Sequence, residues 1–331
     1  MHAPHPAASP LLAVRNLTVS YATASGPFRA LRDVSLDIQP GEVLGVVGET
    51  GCGKSTLALS IPGLLDGGWI ETGVILFEGR DLVRISAEEW RRIRGRRIGL
   101  IFQNPRESLN PVLTIDSHFA ESIRAHRKMT RGQARNLAVH LLEELGVPDP
   151  RLVLRRYSFE LSGGTCQRIA IALAICNEPS LLIADEPTSA LDPTIQSQII
   201  GLLDTMRRRH QLSLLLISHD IPMITGIADR LAVMYAGRVV ERGPAREVLT
   251  RPAHPYTRGL INCIPDIDCP PGSQLLNAIP GAPPGRFATG PGCAFAPRCH
   301  LAENPCTRGE PELVGVSHLH QAACIKAATG A

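Results

Sequence analysis

Apolar and polar residues alternate along Leu12–Tyr21 and again along Val34–Ile38, the period-two signature of half-buried strands, and the turn-rich run ATASGPF follows the first. An antiparallel sheet is expected there. Glu42–Val47 is almost continuously apolar, the pattern of a strand buried on both faces, and is followed by a glycine-rich loop and by STLALSIPGLL, whose helical spacing runs to Pro62. Strand, glycine loop and helix follow in order. Between Ser86 and Leu145 the pattern is mostly helical around one strand, IGLIFQ; in ARNLAVHLLEELGV the residues Leu137, Leu141, Leu142 and Leu145 share one helical face. Further on, LLIAD and LSLLLIS flank the helix QSQIIGLLDTMRRR, which predicts a right-handed βαβ unit with a parallel sheet. Past Arg246 the periodicity fades into Pro- and Gly-rich segments, RPAHPY, DCPPGS and IPGAPPG, so a separate loop-rich tail is expected from near residue 250.

Length and composition narrow the class. With 331 residues, 44% of them apolar, the chain holds one large domain with an appendage, or two domains. A formal net charge of +3 is far below that of a dedicated nucleic-acid binder, so no nucleic-acid partner is expected. The opening MHAPHPAASP lacks the apolar core of an export signal, and no apolar run approaches the roughly 18–20 residues a membrane span requires. If the protein serves a membrane, other chains must cross it. Nine cysteines without an export signal point to reduced thiols or metal ligands. Cys52, Cys166, Cys176, Cys263 and Cys269 are scattered, whereas Cys293, Cys299, Cys306 and Cys324 gather in the tail. No internal duplication or heptad run is present.

The glycine loop carries the first chemistry. Gly48-Glu49-Thr50-Gly51-Cys52-Gly53-Lys54-Ser55 fits the phosphate-loop pattern, and the strand before it and helix after it supply the required context. Glycines allow backbone N–H groups to press against phosphate oxygens, Lys54 adds a charge for the β- and γ-phosphates, and the Ser55 hydroxyl is a hard oxygen suited to Mg²⁺. At the end of the LLIAD strand stand Asp185 and Glu186, where open parallel sheets bind ligands. Asp185 suits the magnesium water shell, and Glu186, on the other side of the strand, can act as general base toward an attacking water. Leu161-Ser162-Gly163-Gly164 precedes a long apolar helix and forms a second anion-binding helix tip.

These segments together resemble the ABC ATPases: GETGCGKST, LSGGTCQR, LLIADEPTSALD and LLLISHD occur in that family's order and approximate spacing. The resemblance implies an α/β P-loop NTPase core with an antiparallel β subdomain, a helical insertion at about 86–165 and a loop-rich C-terminal extension. The expected division is 1–11 disordered, 12–250 ATPase domain and 251–331 extension. It also implies a head-to-tail pair of cassettes, in which Ser162, Gly163, Gly164 and Asp192 of one chain close on ATP held by the Gly48–Thr56 loop of the other. Tyr21 would stack on adenine, Gln103 would contact magnesium or water, and His219 would hold the γ-phosphate and the nucleophilic water. Cys52 would act through its backbone amide. The one departure is Thr165, where the family commonly has Gln.

HPYTRGL, LNAIPGAPPG and GCAFAPRCHLAENPC resemble the C-terminal extension of peptide and nickel importer ATPases. That subfamily works at the cytoplasmic face of the inner membrane with two permease subunits, an extracytoplasmic substrate-binding protein and often a second, different ATPase chain. Peptide is the expected cargo, nickel or a metal chelate the alternative. Cys293, Cys299, Cys306 and Cys324 supply four thiolates, enough for a [4Fe–4S] cluster or a closed zinc site, and the subfamily resemblance favours the cluster.

Overall fold

The computed structural model describes residues 9–189, 191–264, 278–285 and 290–327. Residues 1–8 of the segment expected to be disordered, the DCPPGS run with Cys269, and the end of the chain lie outside the described residues. The strands are β1 (Leu12–Thr23), β2 (Gly26–Ile38), β3 (Val43–Val47), β4 (Gly68–Phe77), β5 (Arg80–Asp81), β6 (Ile98–Ile101), β7 (Leu181–Asp185), β8 (Ser213–Ser218), β9 (Arg230–Tyr235), β10 (Arg238–Pro244), β11 (Val314–Gly315) and β12 (Gln321–Ala322). The helices are α1 (Lys54–Ser60), α2 (Ala87–Ile93), α3 (Pro105–Ser108), α4 (Ile115–His126), α5 (Arg131–Glu144), α6 (Pro150–Val153), α7 (Gly163–Ile175), α8 (Pro193–His210), α9 (Ile221–Thr225), α10 (Ala245–Thr250) and α11 (Pro255–Asn262).

Two compact units divide these elements. One is built mainly from Ile38–Val43 and Arg84–Ile217. In it β6, β7 and β8 run parallel, Ile98 beside Leu181 and Leu181 beside Ser213, and every residue of β7 and β8 is buried. Helix α7 lies so close over β6 that a Cβ added to Gly99 would sit 2.4 Å from the Ala174 carbonyl oxygen. Helix α8 begins at the Asp192 cap with Pro193 in its first turn and ends in Arg207, Arg208, Arg209 and His210, so charge complements the helix dipole at its C-terminal end. The parallel βαβ pattern expected around this helix is present.

Within the same unit α4 and α5 are joined by charge. Asp116, its side chain only 5% exposed, accepts from Arg135 at 2.7 and 2.8 Å and from Arg131 at 3.1 and 3.3 Å. Arg135 first, then Arg131, holds the Asp116 carboxyl below its ordinary range. A lowered carboxylate contributes stability above the usual Asp range and loses it as pH falls through the folded value. Asp116→Asn is expected to cost about 1–2 kcal/mol, discounted because both arginines are half exposed, and to lower Tm by a few degrees. The loss should vanish in acid; a thermal melt followed by circular dichroism across pH checks both. Helix α5 buries Ala134, Ala138, Leu141 and Leu142, with Leu145 just beyond it, while Leu137 lies half-buried at the margin of that face.

The other unit gathers Leu12–Asp37, Leu44–Val83 and the described part of Ser218–Ala331. Its antiparallel sheet has the order β2-β1-β4-β5, with strands longer than the alternation predicts because β2 starts at Gly26. β3 runs parallel to β9, β10 turns back antiparallel on β9, and β12 then β11 extend from β10. The Pro-rich tail is therefore built onto this sheet. Buried Glu241 of β10 receives the Ala253 and His254 amides at 2.7 and 3.0 Å and contacts His320 at 2.7 Å. Glu310 bridges Arg32 and Arg238 at 2.8 and 3.0 Å.

Candidate functional site

The phosphate loop begins where β3 ends, in the second unit. An added Cβ on Gly48 would lie 2.2 Å from the Met234 carbonyl oxygen, so the backbone can take this path only without a side chain. Gly53, at φ +106, starts α1 and offers no side-chain cap to its first-turn amides. Such amides suit an anion. Lys54 is 4% exposed and donates from Nζ to the carbonyls of Gly48 at 2.7 Å and Glu49 at 3.1 Å, so its ammonium is drawn across the loop. Thr50, Gly51 and Ser55 are exposed and Thr56 half-buried. The Cys52 amide, expected to face a nucleotide, donates to the Glu49 carbonyl at 3.2 Å, and burial pushes the Cys52 thiol up. From the tail, the Tyr256 hydroxyl accepts the Glu49 N–H at 2.8 Å.

The carboxylate pair stands in the first unit. Asp185 is the buried last residue of β7, and the next residue, Glu186, takes φ +45, a left-handed conformation uncommon outside glycine. Its amide is held by the Ile217 carbonyl of β8 at 2.9 Å. That bend brings two predicted residues together: Gln103, just beyond β6, donates from Nε2 to Glu186 Oε2 at 2.9 Å. Three residues on, Arg106 donates to the Leu161 carbonyl at 2.6 Å, directly before Ser162. Arg106 belongs to no motif or periodic pattern, so nothing in the sequence marks it out for this contact.

Ser162 caps α7 by accepting the Thr165 amide at 3.2 Å, and the two hydroxyls lie 2.8 Å apart. Thr165 thus serves the cap. Asp192 caps α8 in the same manner through the Ile195 amide at 3.1 Å. The two motifs are neighbours, because Cβ atoms added to Gly163 and Gly164 would meet Leu191 at 3.5 Å and Ile195 at 3.4 Å. In the second unit, exposed His219 follows β8, and Tyr21 lies opposite Gly68 with its ring 2.7 Å from where a glycine Cβ would stand.

Cys293, Cys299, Cys306 and Cys324 line one cavity, together with Phe295, Leu301, Pro311, Ile325 and Lys326 among others. Burial pushes the Cys293 and Cys299 thiols up, and the charges of Cys306 and Cys324 push in the same direction. Among the described residues, however, no group of three or more His, Cys, Asp or Glu is arranged to hold a metal ion. Nor is any helix among them long and apolar enough to cross a membrane.

Residues 31–189 match the family described as ABC transporter, and residues 240–306 match the Oligopeptide/dipeptide transporter, C-terminal region. The Dipeptide transport ATP-binding protein DppD of Bacillus subtilis is 43% identical over 316 residues, covering 95% of this chain and 94% of that protein. The Oligopeptide transport ATP-binding protein OppD of Mycobacterium tuberculosis is 42% identical over 319 residues, 96% of this chain but 52% of that longer protein. Among solved structures, the dimeric post-hydrolysis ATP-binding cassette MJ0796, bound to ADP and Pi, is similar with a TM-score of 0.65 and 26% identity, covering 71% of this chain and 99% of the other. The cbiO1 subunit from Clostridium perfringens gives a TM-score of 0.62 at 29% identity, covering 73% and 91%.

Proposed function

The chain belongs to the ATP-hydrolysing subunits of ABC transporters, and from that premise we propose that it powers import of di- and oligopeptides through separate membrane subunits. What carries the cargo reading is the union, in one chain, of the ATPase cassette with a C-terminal region matched to peptide transporters. The partners are a second cassette of the same or a different chain, two permeases and an extracytoplasmic substrate-binding protein, with the cassettes seated on the cytoplasmic face of the membrane. Reconstituted with these subunits, the ATPase should be stimulated by loaded peptide-binding protein. Stimulation by nickel or a metal chelate and not by peptide would overturn the cargo assignment.

Each site residue has a role in this reading. Gly48, Thr50, Gly51, Cys52, Gly53, Lys54, Ser55 and Thr56 hold the triphosphate, and Tyr21 supports the adenine ring. Ser55 and Asp185, with Gln103, offer the hard oxygen donors that Mg²⁺ takes, and the bound ion would offset phosphate charge. Glu186 accepts a proton from water as the water oxygen bonds to the γ-phosphorus; the bond from that phosphorus to the bridging oxygen breaks, and ADP leaves with its electron pair. His219 steadies the γ-phosphate. Ser162, Gly163, Gly164 and Asp192 act on the nucleotide of the partner cassette. Hydrolysis therefore needs two cassettes.

The tail cysteines are the donors we assign to an iron–sulfur cluster. Four thiols around one largely apolar cavity, with Lys326 at its wall, match the donor set of a [4Fe–4S] group. The same four thiolates could instead close a tetrahedral zinc site with Zn–S bonds of ~2.3 Å, the alternative that the metal content decides. A bound cluster would staple a segment that has little core of its own. Anaerobically purified protein should be brown and carry about four irons per chain; colourless, zinc-loaded protein would refute the assignment.

A further inference from the structure

The phosphate loop contains a carboxylate. Glu49 follows Gly48 directly, and a free negative charge beside a nucleotide's phosphates would oppose binding, the more so in a partly buried site. In this protein that charge is already engaged. Arg298 of the tail grips it with both ends of its fork, Nη1 to Oε2 at 2.7 Å and Nη2 to Oε1 at 3.0 Å, and the two side chains are 6% and 23% exposed.

The fork itself is fixed. Its remaining donors reach the Pro280 carbonyl at 2.9 Å, the Tyr235 hydroxyl at 3.3 Å and the Ile279 carbonyl at 3.5 Å. Tyr235, Tyr256 and Phe295 pack beside it with ring centroids 4.5–5.4 Å apart. Because the Tyr256 hydroxyl accepts the Glu49 amide, the tail holds both the backbone and the side chain of one loop residue.

We propose that Arg298 is a positioning residue for ATP binding, which neutralises the Glu49 carboxylate and draws it aside while Tyr256 sets the Glu49 backbone. The proposal rests on the reading that this loop holds ATP. Its alternative is that Arg298 merely keeps the tail folded, and a double substitution separates the two.

In the full-length chain, Arg298→Gln should weaken equilibrium ATP binding about tenfold, the scale of one charge contact in a partly buried site. Adding Glu49→Gln to that variant should restore affinity to within about threefold of wild type, since no charge then remains to be neutralised. AMP, with fewer phosphate charges, should respond less than ATP. Tyr256→Phe keeps the ring and loses the hydroxyl, and should weaken ATP about threefold. Unaltered ATP binding in Arg298→Gln, or a double variant as weak as the single one, would overturn the proposal. Wild-type chain that failed to bind ATP, matching Lys54→Ala, would overturn the reading of the loop instead.

Discussion

Replacing Glu186 by Gln is expected to leave ATP binding intact while slowing hydrolysis about 10²-fold or more. The substitution is nearly isosteric, and the amide oxygen can still accept the Gln103 hydrogen bond that the carboxylate accepts at 2.9 Å. Its left-handed backbone, fixed by the Ile217 carbonyl, is likewise untouched. What disappears is the capacity to take a proton from water, worth about 3–5 kcal/mol of barrier for a general base. ATP would then accumulate in a closed pair of cassettes, visible as a shift from monomer to dimer on size exclusion in the presence of Mg-ATP. Normal turnover in this variant would remove Glu186 from the chemistry.

Lys54→Ala is expected to fail earlier, at the grip itself. The ammonium is 4% exposed and donates to two loop carbonyls, so truncation removes a positive charge and the donor that draws the loop together. Losing one or two charge-assisted hydrogen bonds of roughly 1.5–3 kcal/mol each should raise the Kd for ATP by 10²-fold or more. Binding measured by titration calorimetry therefore separates the two variants, one holding ATP without splitting it and one failing to hold it. Wild-type affinity in Lys54→Ala would deny the loop its role.

Where the chain is governed by local rules, the sequence announced the structure. The β3–loop–α1 and β7–α8–β8 segments are short-range and their periodicity switches cleanly, and α7 and α8 start at Ser162 and Asp192, standard capping residues. Contacts made across long separations left no such trace. Glu49 and Arg298 lie 249 positions apart, and neither glutamate nor arginine carries a signal that it has a partner. The tail looked formless because Pro and Gly erase periodicity, yet its order comes from Tyr256, Phe295 and Glu241, single side chains used as anchors. Glu186 was picked out by its chemistry, but its unusual backbone angle was not, since a residue before proline is expected to be extended.

The first turn of α7 lies beside the start of α8, with Gly163 near Leu191 and Gly164 near Ile195. The serine tip and the aspartate tip are therefore displayed side by side on one face of this unit. Under the proposed pairing of cassettes, a partner's nucleotide would meet a composite surface made of two helix starts instead of a single one.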